Sequence, residues 1–323
     1  MPEIATDQMP QSNVSTGVHR LAFATSACTV LLLMAGALVT SNDAADSVPD
    51  WPLAYGKIIP PLVGGIRYEY AHRLMACTVA ILTLVLAITL ARAGSRFLRN
   101  LGLAALVLVI AQAVLGGMRV LFHDPALTAT IHAILAQIFF CTIVSLTHFT
   151  SQWWNSDPAK LDDTAPPPLR TLSAVTAAAI FVQLILGAGF RHGAFGILPH
   201  MIGAAVVLFL SIWTTRTVRV RFGNVGQLRR WGILLQAFIG TQFLLGIAAY
   251  WADLQEIKSA QPTATYVILT VAHVLVGALT LAASVVLALS AFHVIRTGAT
   301  VSVATTVAGS AGATGSRAEG SRA

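Results

Sequence analysis

The sequence predicts an all-α integral membrane protein, with eight transmembrane helices arranged as two pseudo-symmetric four-helix bundles. Three observations predict it. Only 10% of the 323 residues are charged, 56% are hydrophobic, and mean hydropathy is +0.74; a soluble chain carries about a quarter charged residues. Apolar runs of about 20 residues, each long enough to cross a bilayer as a helix, recur along the chain. A histidine-bearing hairpin pattern repeats through those runs.

The spans fall at about 21–41, 70–91, 101–121, 129–149, 171–190, 197–215, 231–251 and 265–293. Backbone amides in lipid must bond within their own segment, so these runs are helices and not open strands. The segment before them, 1–20, is polar and carries Glu3 and Asp7. It lacks the basic start of a cleaved signal peptide, so the first span is expected to be retained. Residues 21–150 form the first expected bundle, 151–170 a Pro-rich linker, and 171–295 the second bundle. Residues 296–323 are rich in Gly, Ala, Ser and Thr and read as a disordered tail.

The net charge of +7 is a topology signal before it is anything else. Fourteen Lys and Arg, among them Arg92, Arg96, Arg99, Arg170, Arg216, Arg219, Arg221, Arg229 and Arg230, fall on one side of the spans. Five fall on the other: Lys57, Arg67, Arg119, Arg191 and Lys258. The positive-inside rule then places both termini in the cytoplasm of a multi-pass protein. This distribution argues against nucleic acid as a partner and makes membrane lipid the surroundings. The three cysteines, Cys28, Cys77 and Cys141, lie inside spans, which disfavours a structural disulfide or a thiolate metal site.

Spans three, five and seven share one pattern: Gln112-x-x-Leu115-Gly116, Gln183-x-x-Leu186-Gly187 and Gln242-x-x-Leu245-Gly246. After each comes an outer loop, then a span with a histidine near its start: His132, His200 and His273. The first pair of spans fits more loosely, with Gly36 and His72. The chain therefore reads as four hairpins, each delivering one histidine at a matched depth, as expected of a duplicated membrane protein.

A single membrane histidine is usually a satisfied buried polar group. Four in register point to function, because intramembrane ionisable groups are costly. Imidazoles facing one another across a four-helix bundle are natural axial ligands for heme iron. Zinc fits less well, since no second ligand follows at helical spacing. The expected pairs are His72 with His132 and His200 with His273, one heme-sized site in each half near the outer face. The repeated glycine is expected to let a macrocycle, or another backbone, come close. His19, His123, His148, His192 and His293 are assigned no ligand role.

The halves are not equivalent. Arg67, Glu69 and Arg73 crowd around His72, and Glu69 lies one helical turn before it. The matching positions in the second half are Ile197 and Thr270, which are neutral. A pure electron carrier needs no carboxylate there, whereas a site that moves protons does. Arg73 suits a heme propionate, because guanidinium binds carboxylate in a bidentate manner. The plainer reading of Glu69 and its arginine is an ion pair that anchors the helix end.

At this point the residues resemble a family. Glu69-Tyr70-Ala71-His72-Arg73 resembles the E-x-x-H-R signature of heme A synthase, as do Asp50-Trp51-Pro52-Leu53 with Gly56 upstream. The Gln-x-x-Leu-Gly repeats and the four histidines are similar to the same family over about 20–295. The resemblance implies a bacterial plasma-membrane oxidoreductase that oxidises the C8 methyl of heme O to a formyl, giving heme A for cytochrome oxidase. It implies heme B as cofactor on His200 and His273, substrate heme O near His72 and His132, and Glu69 as catalytic residue. Implied partners are a heme O synthase that hands over substrate and an electron donor; a homo-oligomer is compatible with it. Many bacterial members carry a cysteine pair in an outer loop of the first half. Residues 41–68 here contain none, so a thiol–disulfide role does not carry over.

The working mechanism has electrons arriving through the second half, and two successive hydroxylations of the methyl giving a gem-diol that loses water. Glu69 would shuttle protons or orient the reacting group. The alternative is a diheme b-type membrane cytochrome that only transfers electrons, which explains the histidines but not Glu69. A transporter with histidine gates is a third reading, disfavoured because no span is broken by Pro or Gly in the manner of such proteins.

Overall fold

The computed structural model describes residues 15–122, 126–156, 158–256 and 261–296. Eight helices long and apolar enough to cross a membrane follow one another among the described residues. They are α1 (Thr16–Ser41), α2 (Ile66–Ala93), α3 (Arg96–Phe122), α4 (Ala126–Phe149), α5 (Leu169–Arg191), α6 (Leu198–Phe222), α7 (Gly226–Glu256) and α8 (Ala264–Val294). A 3-10 turn at Trp154–Ser156 follows α4. There is no strand among the described residues, only isolated bridges between Ala54 and Lys57 and between Leu161 and Ile295. The protein is thus an all-α, multi-pass membrane protein, as its apolar runs predict.

Most helices outrun the apolar spans. The α3 helix starts at Arg96 and α7 runs to Glu256, because intrahelical hydrogen bonds continue past the hydrocarbon while long basic side chains reach back to water. Ser15 and Thr263 cap α1 and α8 by accepting from Val18 N and Tyr266 N, each satisfying one of the amides a helix start leaves free.

In the first half α1 packs on α2 and α4, α2 on α3, and α3 on α4; in the second, α5 packs on α6 and α8, α6 on α7, and α7 on α8. Across the halves α8 packs on α1 and α4, and α4 on α5. The α8 helix is the centre of this arrangement: 67% of its span is buried, against 22–28% for each other helix. Its buried face is mostly small, with Gly277, Ala278, Ala282, Ala283, Ser284 and Ala291. Small side chains let helix backbones approach closely, which is how packing is gained where lipid and protein are equally apolar. The opposite case is α3, where Leu103, Val107, Ile110 and Val114 form an exposed stripe at helical spacing, suited to lipid.

Buried apolar residues gather in two main clusters. One includes Leu86, Leu90, Phe139 and Ile143 of α2 and α4; the other includes Ile180, Leu228, Leu235 and Leu287 of α5, α7 and α8. Phe140 with Ala278 and Ala282 forms a small third cluster between them.

The Pro-rich linker is tied down. Asp163 accepts from Leu169 N at 2.6 Å and from Arg221 Nη1 at 3.2 Å, and Leu161 exchanges backbone bonds with Val294 and Arg296. The expected disordered tail beyond Arg296, residues 1–14 of the N-terminal tail, and His123 lie outside the described residues. Cys28, Cys77 and Cys141 sit in helices and are unbonded.

Candidate functional site

Each of the four histidines sits in the first turns of an even-numbered helix and packs against a glycine of the preceding odd-numbered one. A Cβ placed on Gly36 would come within 3.1 Å of His72 Cε1; on Gly116, 3.5 Å of His132 Cε1; on Gly187, 2.8 Å of His200 Cε1; on Gly246, 3.0 Å of His273 Cε1. The glycine makes room for the imidazole itself, rather than primarily for a macrocycle or another backbone. The loosely matching first hairpin obeys the same rule as the other three.

The recurring glutamine has a matching task. Gln112 Nε2 donates to His132 O at 3.0 Å, and Gln183 Nε2 donates to His200 O at 2.8 Å. Gln183 Nε2 also lies 3.0 Å from His200 Nδ1, and Gln242 Nε2 lies 3.3 Å from His273 Nε2. Gly203 and Gly277, one turn beyond the two second-half histidines, leave the space these amides fill. In α1 the corresponding position, four before Gly36, is Leu32. His72 therefore has no glutamine of this kind.

The two pairs differ in how they meet. The His200 and His273 rings face one another with centroids 6.2 Å apart and planes at 85°. Among the described residues no such ring contact joins His72 to His132. The donor set suits a metal-bearing macrocycle. His72 Nδ1, His132 Nδ1 and His273 Nδ1 are buried without a hydrogen-bond partner, and Gln183 on His200 Nδ1 leaves its Nε2 for a ligand. A buried polar atom left without a partner costs about 1–3 kcal/mol, so its recurrence at three matched positions calls for a ligand that takes imidazole nitrogen.

Glu69 and Arg73, predicted to stand beside His72, are there, and they hold a loop. Glu69 is only 4% exposed. Its Oε1 accepts from Arg73 Nη2 at 2.6 Å and its Oε2 from Val48 N at 2.9 Å. Arg73 Nη1 donates to Asp50 O and Leu53 O, both at 2.8 Å. The ion pair thus clamps the loop 42–65 to the start of α2. Arg73 spends its guanidinium on this clamp, so the propionate contact expected of it finds no direct geometric support. Arg67, by contrast, lies over the Tyr68 ring and bonds its hydroxyl.

The loop's own motif explains its shape. Asp50 accepts from Tyr55 N at 2.6 Å and Gly56 N at 2.8 Å, closing a turn in which Tyr55 and Gly56 both take positive φ, 54° and 66°. Glycine takes that conformation readily. The Gly56 amide, followed by that of Tyr55, holds the Asp50 carboxyl below its ordinary range. Trp51 packs its ring on Gly117, where a Cβ would sit 2.7 Å away. The loop therefore covers α3 one residue beyond the glycine that seats His132.

Sequence reasoning missed Arg191, which was counted only as an outer-side charge. It ends α5 and crosses to the first half, donating from Nη2 to Ala37 O at 3.2 Å and Ser41 Oγ at 2.6 Å. Ser41 Oγ in turn lies 2.8 Å from Thr270 Oγ1, one turn before His273. This polar chain joins the residue after Gly36 to the helix of the second histidine pair. A lone arginine after a glycine-containing helix end gave no signal of it. Two of the histidines assigned no ligand role have other partners: His148 Nε2 lies 3.2 Å from Ser290 Oγ and stacks on Trp153, while His293 stacks on Trp154 at 4.0 Å.

Comparison with known proteins agrees with the motif. The profile of the COX15-CtaA family, described as cytochrome oxidase assembly protein, matches residues 68–198. A heme A synthase of Shouchella clausii is 31% identical over 45% of this chain and 48% of its own length. One of Bacillus licheniformis is 33% identical over 39% and 43%, and one of Symbiobacterium thermophilum is 25% identical over 68% and 82%. The chain spans about half the length of the first two relatives. The matched segment carries Glu69, His72, Arg73 and His132, and over it this chain is similar to the COX15-CtaA family.

Proposed function

We propose that this chain is a heme A synthase, a membrane oxidoreductase that converts the C8 methyl of heme O to the formyl of heme A. The observation that carries the reading is an asymmetry: histidine pairs occur in both halves, but among the described residues a buried carboxylate stands beside only one of them, one turn before His72. His200 and His273, facing at 6.2 Å, hold heme B in the second half; when bound, that group supplies one-electron transfer. His72 and His132 receive heme O in the first half, under the loop that Trp51 and Asp50 shape. The two halves act as duplicated four-helix bundles, 21–150 and 171–295. The chain sits in a bacterial plasma membrane with both termini in the cytoplasm, takes heme O from a heme O synthase and draws electrons from a separate donor.

Within this reading Glu69 is the catalytic residue, and its geometry favours orienting over free proton exchange. Both carboxylate oxygens are engaged, by a guanidinium and an amide, so the group is held fixed at the mouth of the site. Arg73 balances its charge and, through the carbonyls of Asp50 and Leu53, ties the same carboxylate to the loop above the substrate. Gln183 and Gln242 set the ring orientation of the second pair, as hydrogen-bonded partners of ligating imidazoles do.

One observation favours the other reading, a diheme b-type cytochrome that only carries electrons. A carboxylate fully occupied in a clamp is also what a purely structural Glu69 would look like. Pigment extraction from membranes of cells that express the chain together with a heme O supply separates the two. Heme A should appear for the synthase; heme B alone would overturn it.

A further inference from the structure

The loop 42–65 has two parts of different chemistry. The first is held to the bundle: Glu69 and Arg73 bind Val48, Asp50 and Leu53, and Trp51 packs on Gly117. A tight turn follows, closed by paired backbone hydrogen bonds between Ala54 and Lys57. The chain then returns to α2 as Ile58-Ile59-Pro60-Pro61-Leu62-Val63. Ile58, Ile59, Leu62 and Val63 are 55–81% exposed. Large aliphatic side chains crowd this short stretch, and among the described residues no protein surface covers them. A contiguous apolar surface of this kind marks an interaction site.

What covers the stretch follows from where it leads. Ile66 N donates to Val63 O at 3.2 Å and Tyr68 N to Gly65 O at 3.0 Å, so the chain turns directly into α2. On α2 the exposed residues Leu74, Ile81 and Ile88 recur every seven positions, which is two turns and nearly the same face. That stripe is the lipid face of a spanning helix. Arg67 stands seven residues before Leu74 and ends the stripe; it is exposed and lies over the Tyr68 ring. Arginine and tyrosine at the end of a span are side chains that settle at the membrane surface. Val63 comes four residues before Arg67, so the apolar stretch begins where the lipid-facing stripe ends. From Lys57 to Arg67 the chain carries these two cations and no acid.

We propose that residues 58–63 form a membrane-seated lip. Ile58, Ile59, Leu62 and Val63 enter the headgroup–acyl boundary of the leaflet on the histidine side, and Lys57 and Arg67 meet lipid phosphates at either end. Apolar side chains flanked by basic ones are held at a bilayer surface by both interactions together. The backbone here is irregular, and irregular backbone exposed to lipid does not enter the hydrocarbon core. The lip therefore lies at the boundary and not deeper. The cover of the first histidine pair is then fixed along two edges, to α2 by Glu69 and Arg73 and to the bilayer by the lip. This inference stands on the loop and helix surface alone and does not depend on what the histidines bind.

The test is spin labelling of the full-length chain in nanodiscs of phosphatidylglycerol and phosphatidylcholine. Labels are placed at I59C or L62C in the background C28S/C77S/C141S, with D162C in the exposed part of the linker as the aqueous reference. Labels on the lip should collide more with lipid-soluble oxygen than with a water-soluble nickel complex, and the D162C label should do the reverse. Lip labels that follow the D162C pattern would overturn the proposal. So would labels shielded from both reagents and broadened by one another, which would mean that a second copy of the chain covers the stretch. If the background lacking cysteine does not fold, I59W in the otherwise unchanged chain gives a second reading. Brominated phosphatidylcholine should quench more emission from I59W than from the unaltered chain, and equal quenching would overturn the lip.

Discussion

The two halves solve the same packing problem and then part ways at the outer surface. In both, a glycine on one helix receives an imidazole from the next. In the second half the connection between α5 and α6 is short, residues 192–197, and the histidines are fixed by glutamine amides and by facing each other. In the first half residues 42–65 form a structured cover, bound by Glu69 and Arg73, and Leu32 stands where a glutamine would be. The second half holds its imidazoles in place by side-chain contacts. The other is built around a loop and a buried ion pair, and its histidines lack the close ring contact of the second pair. Where two halves share one packing rule, the place where they differ is where distinct chemistry should be sought.

The sharpest way to break this comparison is to remove ligands one half at a time. H200A or H273A should abolish the low-spin heme spectrum of the purified protein, while H72A leaves it intact; a spectrum untouched by all three would end the assignment. Next in size is the ion pair. E69Q should lower heme A formation by at least about a hundredfold, the scale of a lost proton-handling or orienting group, with the second-half spectrum kept. Removing one partner of a buried pair also costs about 3–5 kcal/mol, so thermal melting should fall in the same variant. Normal turnover in E69Q would leave only the structural role.

Smaller effects sharpen the picture. R191M removes a charged donor from Ser41 and Ala37 across the halves and should cost about 1.5–3 kcal/mol, read as a lower melting temperature. The glycine seats predict an order: G187A should disturb its histidine most, G246A and G36A less, and G116A least, following Cβ approaches of 2.8, 3.0, 3.1 and 3.5 Å. Overpacking on this scale costs about 1–3 kcal/mol, and visible spectra of the four variants would check the ranking. The least effect concerns His192, in the short second loop. Burial, then Arg191 and Arg119, push it down to about 4. The unfolded chain binds this proton near 6.5 and the folded one only near 4. Stability is therefore complete above about pH 6.5 and is lost as pH falls toward 4. H192N should flatten that part of the melting-temperature profile.

Much of the fold was legible because lipid imposes it. A run such as 101–121 has one way to satisfy its amides in hydrocarbon, and α3 is where it should be. The site was legible as spacing: Gln112, Gln183 and Gln242 announced themselves by recurrence before any contact was known. Their task was not legible, because a repeat records position and not partner. The contacts of Arg191 and Trp51 left no trace, since each acts on a helix distant in sequence: Arg191 on α1, and Trp51 on Gly117. The central place of α8 was equally hidden. Its run is as apolar as the others, and only packing shows that its small residues face protein and not lipid.

By itself, then, the sequence determined eight runs long and apolar enough to cross a membrane, four histidines at matched places in successive hairpins, and an acid one turn before just one of them. These follow from local rules, the length of a helix across hydrocarbon and the repetition of a hairpin. Only the tertiary structure decided that the glycines seat the imidazoles, that Glu69 and Arg73 bind a loop, and that Arg191 joins the halves. Those are contacts between segments far apart in the chain, and they exist only once helix packing has brought the segments together.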